Sequence, residues 1–277
     1  MMANKIWTLF EVEFKRIQKI YFALLTLLFF SNEGLFSFLF NLNLKESESI
    51  IGYKVGMSVL KEEAAIEAFS SSDVAQTTYQ LTFFLLIGAL LWCLYYGLAI
   101  WYKDFSNKTK PIYTLFMLPE NKFIIFISKL ITMLTLIYGV ILVQFLCWLI
   151  MVAIMKNISG ISIEHIINII NNARPDIYMI HVPQISRVEF IMIFILGPIL
   201  AMTVLFTGIM MHKTVKKIGG LLGVIYVISI ISVYFSITAL YNTYSDVLMK
   251  THLIFYLVVF VMSMVVSYST LTKKIYV

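Results

Sequence analysis

Charge is scarce in this chain. Of its 277 residues only 13% are Asp, Glu, Lys or Arg, while 60% are hydrophobic and 15% aromatic. A soluble domain carries about a quarter charged residues. The deficit excludes an ordinary soluble globular domain and makes lipid the natural solvent. Cysteine is nearly absent: Cys93 and Cys147 each lie inside an apolar run. That excludes a disulfide framework and a Cys-based metal site, and leaves both as small core residues. The signatures of covalent chemistry are missing too. No G-x-x-x-x-G-K-[ST], H-E-x-x-H or G-x-S-x-G occurs, so no P-loop is available for nucleotide hydrolysis and neither hydrolase motif is present. Internal repeats and low-complexity stretches are absent as well. Residues 1–19 are charged and amphipathic with no small-residue cleavage site, so no removable signal peptide is expected.

Long apolar runs are what the chain does have. Six windows near 20 residues are expected to cross a bilayer: 20–42, 81–102, 130–155, 190–211, 218–240 and 253–271. The expected fold is therefore all-α, a polytopic membrane protein. Ser31-Asn32-Glu33-Gly34 interrupts the first window, and Gly197-Pro198 predicts a kink in the fourth. An even number of spans puts both termini on one side. Segments 1–19, 103–129, 212–217 and the tail after 271 hold 14 of the 21 basic residues but only four acidic ones: Glu11, Glu13, Asp104 and Glu120. The other face keeps the remaining seven basic and eleven acidic residues, so the first face is expected to be cytoplasmic. The basic pI of about 9.1 then reports topology and calls for no nucleic-acid partner.

The outer loops would be 43–80 and 156–189. In the first, Met57 to Phe69 has helical spacing that predicts a small extramembrane cap; in the second, Ile161 to Ile170 reads as an interfacial helix before turns at Pro175 and Pro183. Glu164, His165, Asp176 and His181 lie in that loop, where histidines are more often solvated than metal-bound, and no metal is expected. His212 and His252 fall at span ends, where polar interfacial roles are ordinary.

Some polar residues stand out by position. Ile6, Leu9, Phe10, Phe14, Ile17, Ile20 and Tyr21 share one helical arc, opposite Glu11, Lys15, Gln18 and Lys19, which predicts an interfacial helix leading into span one. Glu13 breaks that apolar arc. It either contacts a protein partner or pairs locally with Arg16 at i+3. Glu33 lies about 20 Å along span one if that span starts at Ile20, within a hydrocarbon core of about 30 Å. There it would face a cavity; a start nearer Phe14 puts it at the outer interface. Gln144 in span three suits either a pathway or an interhelical hydrogen bond.

Between spans two and three the chain carries a short apolar segment fenced by prolines. Pro111 suits the first turn of a helix, and Pro119 ends it near Leu118. About two turns result, with Ile112, Leu115 and Phe116 on one face and Tyr113 and Met117 beside them. The segment is too short to cross a bilayer and too apolar to lie bare in water. It rests on headgroups, helped by Lys108, Lys110 and Lys122, or docks in a groove of a cytoplasmic protein.

An amphipathic N-terminal helix and six spans surround a segment of the form Asp104-x-Ser106-x-x-Thr109-x-x-x-x-Thr114-Leu115-x-x-Leu118-Pro119-x-Asn121-Lys122-x-x-Ile125-x-x-Ser128-Lys129. In this layout the chain resembles the permease subunits of type-2 ABC exporters. The resemblance implies that 103–129 is a cytosolic coupling segment. Thr109, Pro111, Ile112, Tyr113, Leu115, Phe116, Leu118 and Pro119 would form the coupling helix, which sits in a cleft of a separate ABC ATPase. Residues 1–19 would be an interfacial elbow helix carrying Glu13 to the same subunit. ATP and Mg would be bound by that ATPase and no cofactor by this chain, which would be non-catalytic. The other partners implied are a second permease chain, in a homo- or heterodimer, and membrane lipid. The expected location is a bacterial cell membrane with both termini cytoplasmic.

For cargo, the spans are rich in aromatic residues and methionine, among them Phe29, Phe30, Phe36, Trp92, Tyr95, Tyr96 and Met133. Most of these are expected to be packing and lipid-facing residues. The composition suits an amphipathic peptide such as a toxin or antimicrobial peptide, and next a hydrophobic drug or lipid-linked glycan. Outside the exporter class stand a secondary transporter, which would favour several deep charges where only Glu33 approaches one, and a membrane sensor, which would need a cytosolic output domain.

Overall fold

The structure, a computed structural model, describes residues 2–51, 73–106, 122–159, 191–214, 218–241 and 245–273. Apart from a turn at Ile218 those residues are all helical, with no strand among them. In chain order the helices are α1 (Met2–Ile51), α2 (Asp73–Ser106), α3 (Lys122–Ser159), α4 (a π-turn over Met192–Leu196 running into an α-helix over Gly197–Thr214), α5 (Gly219–Tyr241) and α6 (Ser245–Lys273). Among the described residues six stretches are long and apolar enough to cross a membrane: Ile6–Leu39, Leu81–Asp104, Lys122–Met151, Met192–His212, Gly219–Ala239 and Met249–Thr272. This is the make-up of a multi-pass membrane protein.

The first and third stretches depart most from the expected windows. Helix α1 has no proline and a single glycine, so nothing in it separates an amphipathic N-terminal part from span one. It continues through Ser31-Asn32-Glu33-Gly34, where the Asn32 amide donates back to the Leu28 carbonyl at 2.8 Å. Residues 43–51 and 73–80, expected in a loop, extend α1 and open α2. Helix α3 starts at Lys122, eight residues before the expected window. At Gly197-Pro198 the irregularity takes the form of a π-turn, in which the Gly197 N–H donates to the carbonyl of Met192, five residues back. Pro198 has no N–H and clashes with an ordinary preceding turn, and the wider turn absorbs that defect. The cap over Met57 to Phe69, the helix over Ile161 to Ile170 and the loop residues Glu164, His165, Asp176 and His181 lie outside the described residues.

Two compact units make up the chain. One comprises Met1–Gln18, Trp92–Ile137 and Ser186–Val277. Its core is aromatic: Trp101 meets Phe206 edge-on at 5.6 Å, and Phe126 packs against Phe206 at 5.9 Å. Met133 and Met202 fill the space that Gly97 leaves open, since a methyl group there would stand 2.8 Å from the Met202 terminal carbon. Helices α4 and α5 approach at Gly208 and Gly223, where a side chain on Gly223 would collide with the Gly208 carbonyl. Small residues at helix contacts inside lipid permit this backbone approach. Hydroxyls join α4 to α6, with Thr207 2.9 Å from Ser267, and α5 to α6, with Tyr226 2.7 Å from Ser263.

The other unit comprises Lys19–Leu91 and Tyr138–Ile185. Leu28, Phe36, Leu86, Ala89, Val140, Ile141 and Cys147 are buried in it. Tyr21 occupies the place of the side chain that Gly139 lacks, so α1 and α3 interlock at that point. The Trp148 indole N–H donates to the Thr82 hydroxyl at 3.3 Å.

Candidate functional site: a buried ion cluster flanking residues 107–121

The first unit contains four charged side chains that form a closed network. Glu13 comes from the apolar arc of α1, four residues before the buried Ile17. That arc is covered by protein at this point, which is why a carboxylate can stand on it. Asp104 is three residues after the buried Trp101, on the same face of α2. Lys129 lies in the first two turns of α3, where Ile124, Ile125, Phe126, Ser128 and Leu130 are all buried as well.

Lys129 has a side chain only 1% exposed. Its Nζ donates to Glu13 Oε1 at 2.7 Å and to Asp104 Oδ2 at 2.5 Å, and lies 5.2 Å from the centre of the Trp101 ring. Arg16 Nη1 donates to Glu13 Oε2 at 3.2 Å and Asp104 Oδ1 at 3.4 Å. Each carboxylate thus takes one oxygen to each cation, and the two charges of each sign cancel. A lone ammonium or carboxylate at this depth would cost several kcal/mol of lost hydration. Here the desolvation is offset by short charge-assisted bonds and by the indole face. Arg16 alone reaches the surface, with 39% of its side chain exposed. A further tie runs from the Ser128 hydroxyl to the Ile6 carbonyl at 3.4 Å.

This geometry ties three helices together by ion pairs. No cluster of three or more His, Cys, Asp or Glu able to hold a metal occurs among the described residues. What the cluster joins is more telling. Asp104 precedes residues 107–121 and Lys129 follows them, so both flanks of that segment meet in one ion cluster with Glu13 and Arg16 of α1.

The second unit holds a neutral polar contact. Gln144 Nε2 donates to Asn32 Oδ1 at 3.0 Å, and Asn32 Nδ2 returns a bond to Gln144 Oε1 at 3.1 Å. Both residues are fully buried. Glu33, the next residue on α1, is half-buried, and its Oε1 is enclosed with no hydrogen-bond partner among the described residues. It stands six residues before the end of the apolar stretch at Leu39, about 9 Å along the helix.

Of the residues singled out by sequence, Glu13 makes the i+3 pair with Arg16 and also a longer-range pair with Lys129, which it shares with Asp104. Gln144 makes an interhelical hydrogen bond, and Glu33 has no part in it. Thr109, Pro111, Ile112, Tyr113, Leu115, Phe116, Leu118 and Pro119 lie outside the described residues. Sequence reasoning did not single out Asp104, Lys129 or Asn32 as bonding partners. The available signal was three charges, Glu13, Asp104 and Lys129, each set on or at the edge of an apolar stretch and therefore in need of compensation. No protein-family model, no curated protein and no solved structure matches the chain.

Proposed function

We propose that this chain is the membrane-spanning subunit of an ATP-driven exporter, forming the translocation pathway and coupling to a separate cytosolic ATPase. The observation that carries the reading is the meeting of three sequence-distant pieces in one ion cluster. The N-terminal helix, the end of α2 and the start of α3 share Glu13, Asp104 and Lys129. A segment that receives force from a moving partner needs both of its flanks held, and this one has that support. In this reading the cluster faces the cytoplasm, in keeping with the excess of Lys and Arg on its side of the chain. The apolar turns of 109–118 dock in a groove of the ATPase, which binds ATP and Mg. A second permease chain completes the pathway.

Glu13 serves this function from inside, since its carboxylate is 9% exposed and engaged with Lys129 and Arg16. Glu33 is the pathway residue the geometry favours, because one carboxylate oxygen is enclosed and unbonded. Gln144 is occupied by Asn32 and acts as structural support for it. The aromatic, methionine-rich spans suit an amphipathic peptide cargo, with hydrophobic drugs or lipid-linked glycans as the next class.

The test is co-expression with candidate ABC ATPases of the same organism, followed by co-purification and export assays in vesicles. Wild-type chain is expected to retain one ATPase and to support ATP-dependent export. Leu115→Asp, which puts a charge on the apolar face, is expected to lose both. Unchanged association and export in that variant would overturn the coupling role. A second reading, a stand-alone secondary transporter, rests on Glu33 as a membrane carboxylate. Ion-gradient-driven uptake by the chain alone, abolished by Glu33→Gln, would select it.

A further inference from the structure

The geometry points to the Glu13–Arg16–Asp104–Lys129 cluster as a transmission joint, with Lys129 as the positioning residue that makes the N-terminal helix move with segment 107–121. The inference rests on the exporter reading and goes beyond it. It assigns residues outside the docking helix, and a mechanical role that docking alone does not require.

Three features carry it. Lys129 and Asp104 stand 25 residues apart in the chain yet share a short ion pair, so the two flanks of the intervening segment are pinned to each other. The same ammonium holds Glu13, so the pinned flanks are fastened to α1 as well. The carboxylates are also bridged a second time, by Arg16. Displacing α2 or α3 would therefore leave an uncompensated charge with almost no exposure, because the Lys129 and Asp104 side chains are 1% and 2% exposed, and displacing α1 would strip both buried pairs of half their charge-assisted bonds. The cheaper response to a push on the segment is for all three to move together. Apolar side chains of similar volume would pack this space at least as well, but they would permit sliding. Directional ionic contacts do not.

The role separates from docking by experiment. Purified chain in lipid nanodiscs would first be examined as a double-mutant cycle of melting temperatures with Glu13→Gln and Lys129→Met. Each single change is expected to lower the melting temperature, and the double change to lower it by clearly less than the sum. Additive effects would show that no shared cluster exists and would overturn the inference. Transport per ATP hydrolysed is then measured with the companion ATPase for two variants. The double change Glu13→Gln, Arg16→Gln removes both ionic ties of the N-terminal helix and leaves the Asp104–Lys129 pair balanced, while the triple Glu13→Gln, Asp104→Asn, Lys129→Met removes all three buried charges together and avoids an orphaned ion. Both are expected to bind the ATPase as wild type does and to export about tenfold less cargo per ATP. Full export per ATP in a variant that folds and binds the ATPase would overturn the transmission role and leave the docking role standing. A wild-type chain that binds no ATPase would remove the proposed function and the transmission role together, while a non-additive cycle would still establish the ion cluster.

Discussion

Each of the two units buries a polar side-chain contact between α1 and α3, and the two contacts are built on different principles. In one, Lys129 holds Glu13 and Asp104 with Arg16 bridging behind; in the other, Asn32 and Gln144 exchange two amide hydrogen bonds. The amide pair is self-contained. Each partner satisfies the other, Asn32 adds a bond to the Leu28 carbonyl, and among the described residues no other helix takes part. The ion cluster is not divisible in that way, because Lys129 needs two carboxylates and each carboxylate is shared by two cations. Neutral pairs in a membrane protein join neighbours, whereas a buried charge obliges several elements to stay in step. Function that depends on concerted movement is better served by the second kind.

Breaking the comparison at its strongest point means removing the ammonium. Lys129→Met leaves Glu13 and Asp104 buried together with only the half-exposed Arg16 to balance them. A loss of about 3–5 kcal/mol is expected, read as the shift in a denaturant or steric-trapping unfolding curve. Gln144→Leu should cost far less, about 1 kcal/mol in the same assay, because interhelical hydrogen bonds within lipid are individually modest. The double change Asn32→Leu with Gln144→Leu sharpens the contrast: replacing both partners by apolar groups should return stability to within about 0.5 kcal/mol of wild type. A double as costly as the sum of its singles would mean that the amides serve more than each other. The smallest effect is expected at the surface. Arg16→Gln removes two contacts of 3.2 and 3.4 Å at a group 39% exposed, and should change stability by about 0.5 kcal/mol or less. An Arg16 effect rivalling that of Lys129 would make the outer bridge, and not the buried ammonium, the centre of the cluster.

The sequence made the six apolar helices legible because hydropathy is a sum over local residues and lipid rewards nothing else. It also made the Glu13–Arg16 pair legible, since three residues on a helix is one turn. It placed the start of α3 eight residues late, because Lys122 and Lys129 were taken as the end of a polar segment. Lys129 sits inside the helix because its charge is cancelled by residues 116 and 25 positions away. Tertiary partners at such separations leave no spacing rule in a single chain. Tyr21 and Gly139 show the same limit from the steric side: a missing side chain reads as flexibility in sequence and is a socket in the fold. Gln144 fell between these cases, since its burial followed from its window while its partner Asn32 lay in what looked like an interruption.

The indole of Trp101 has no exposed surface and lies under the Lys129 ammonium, within 5.2 Å of its ring centre. An indole excited state carries a larger dipole than its ground state, so its emission wavelength follows the field of a nearby charge. Trp101 is one of only four tryptophans in the chain. With the other three replaced by phenylalanine, its colour would serve as a label-free optical gauge of the distance between the ammonium and the ring.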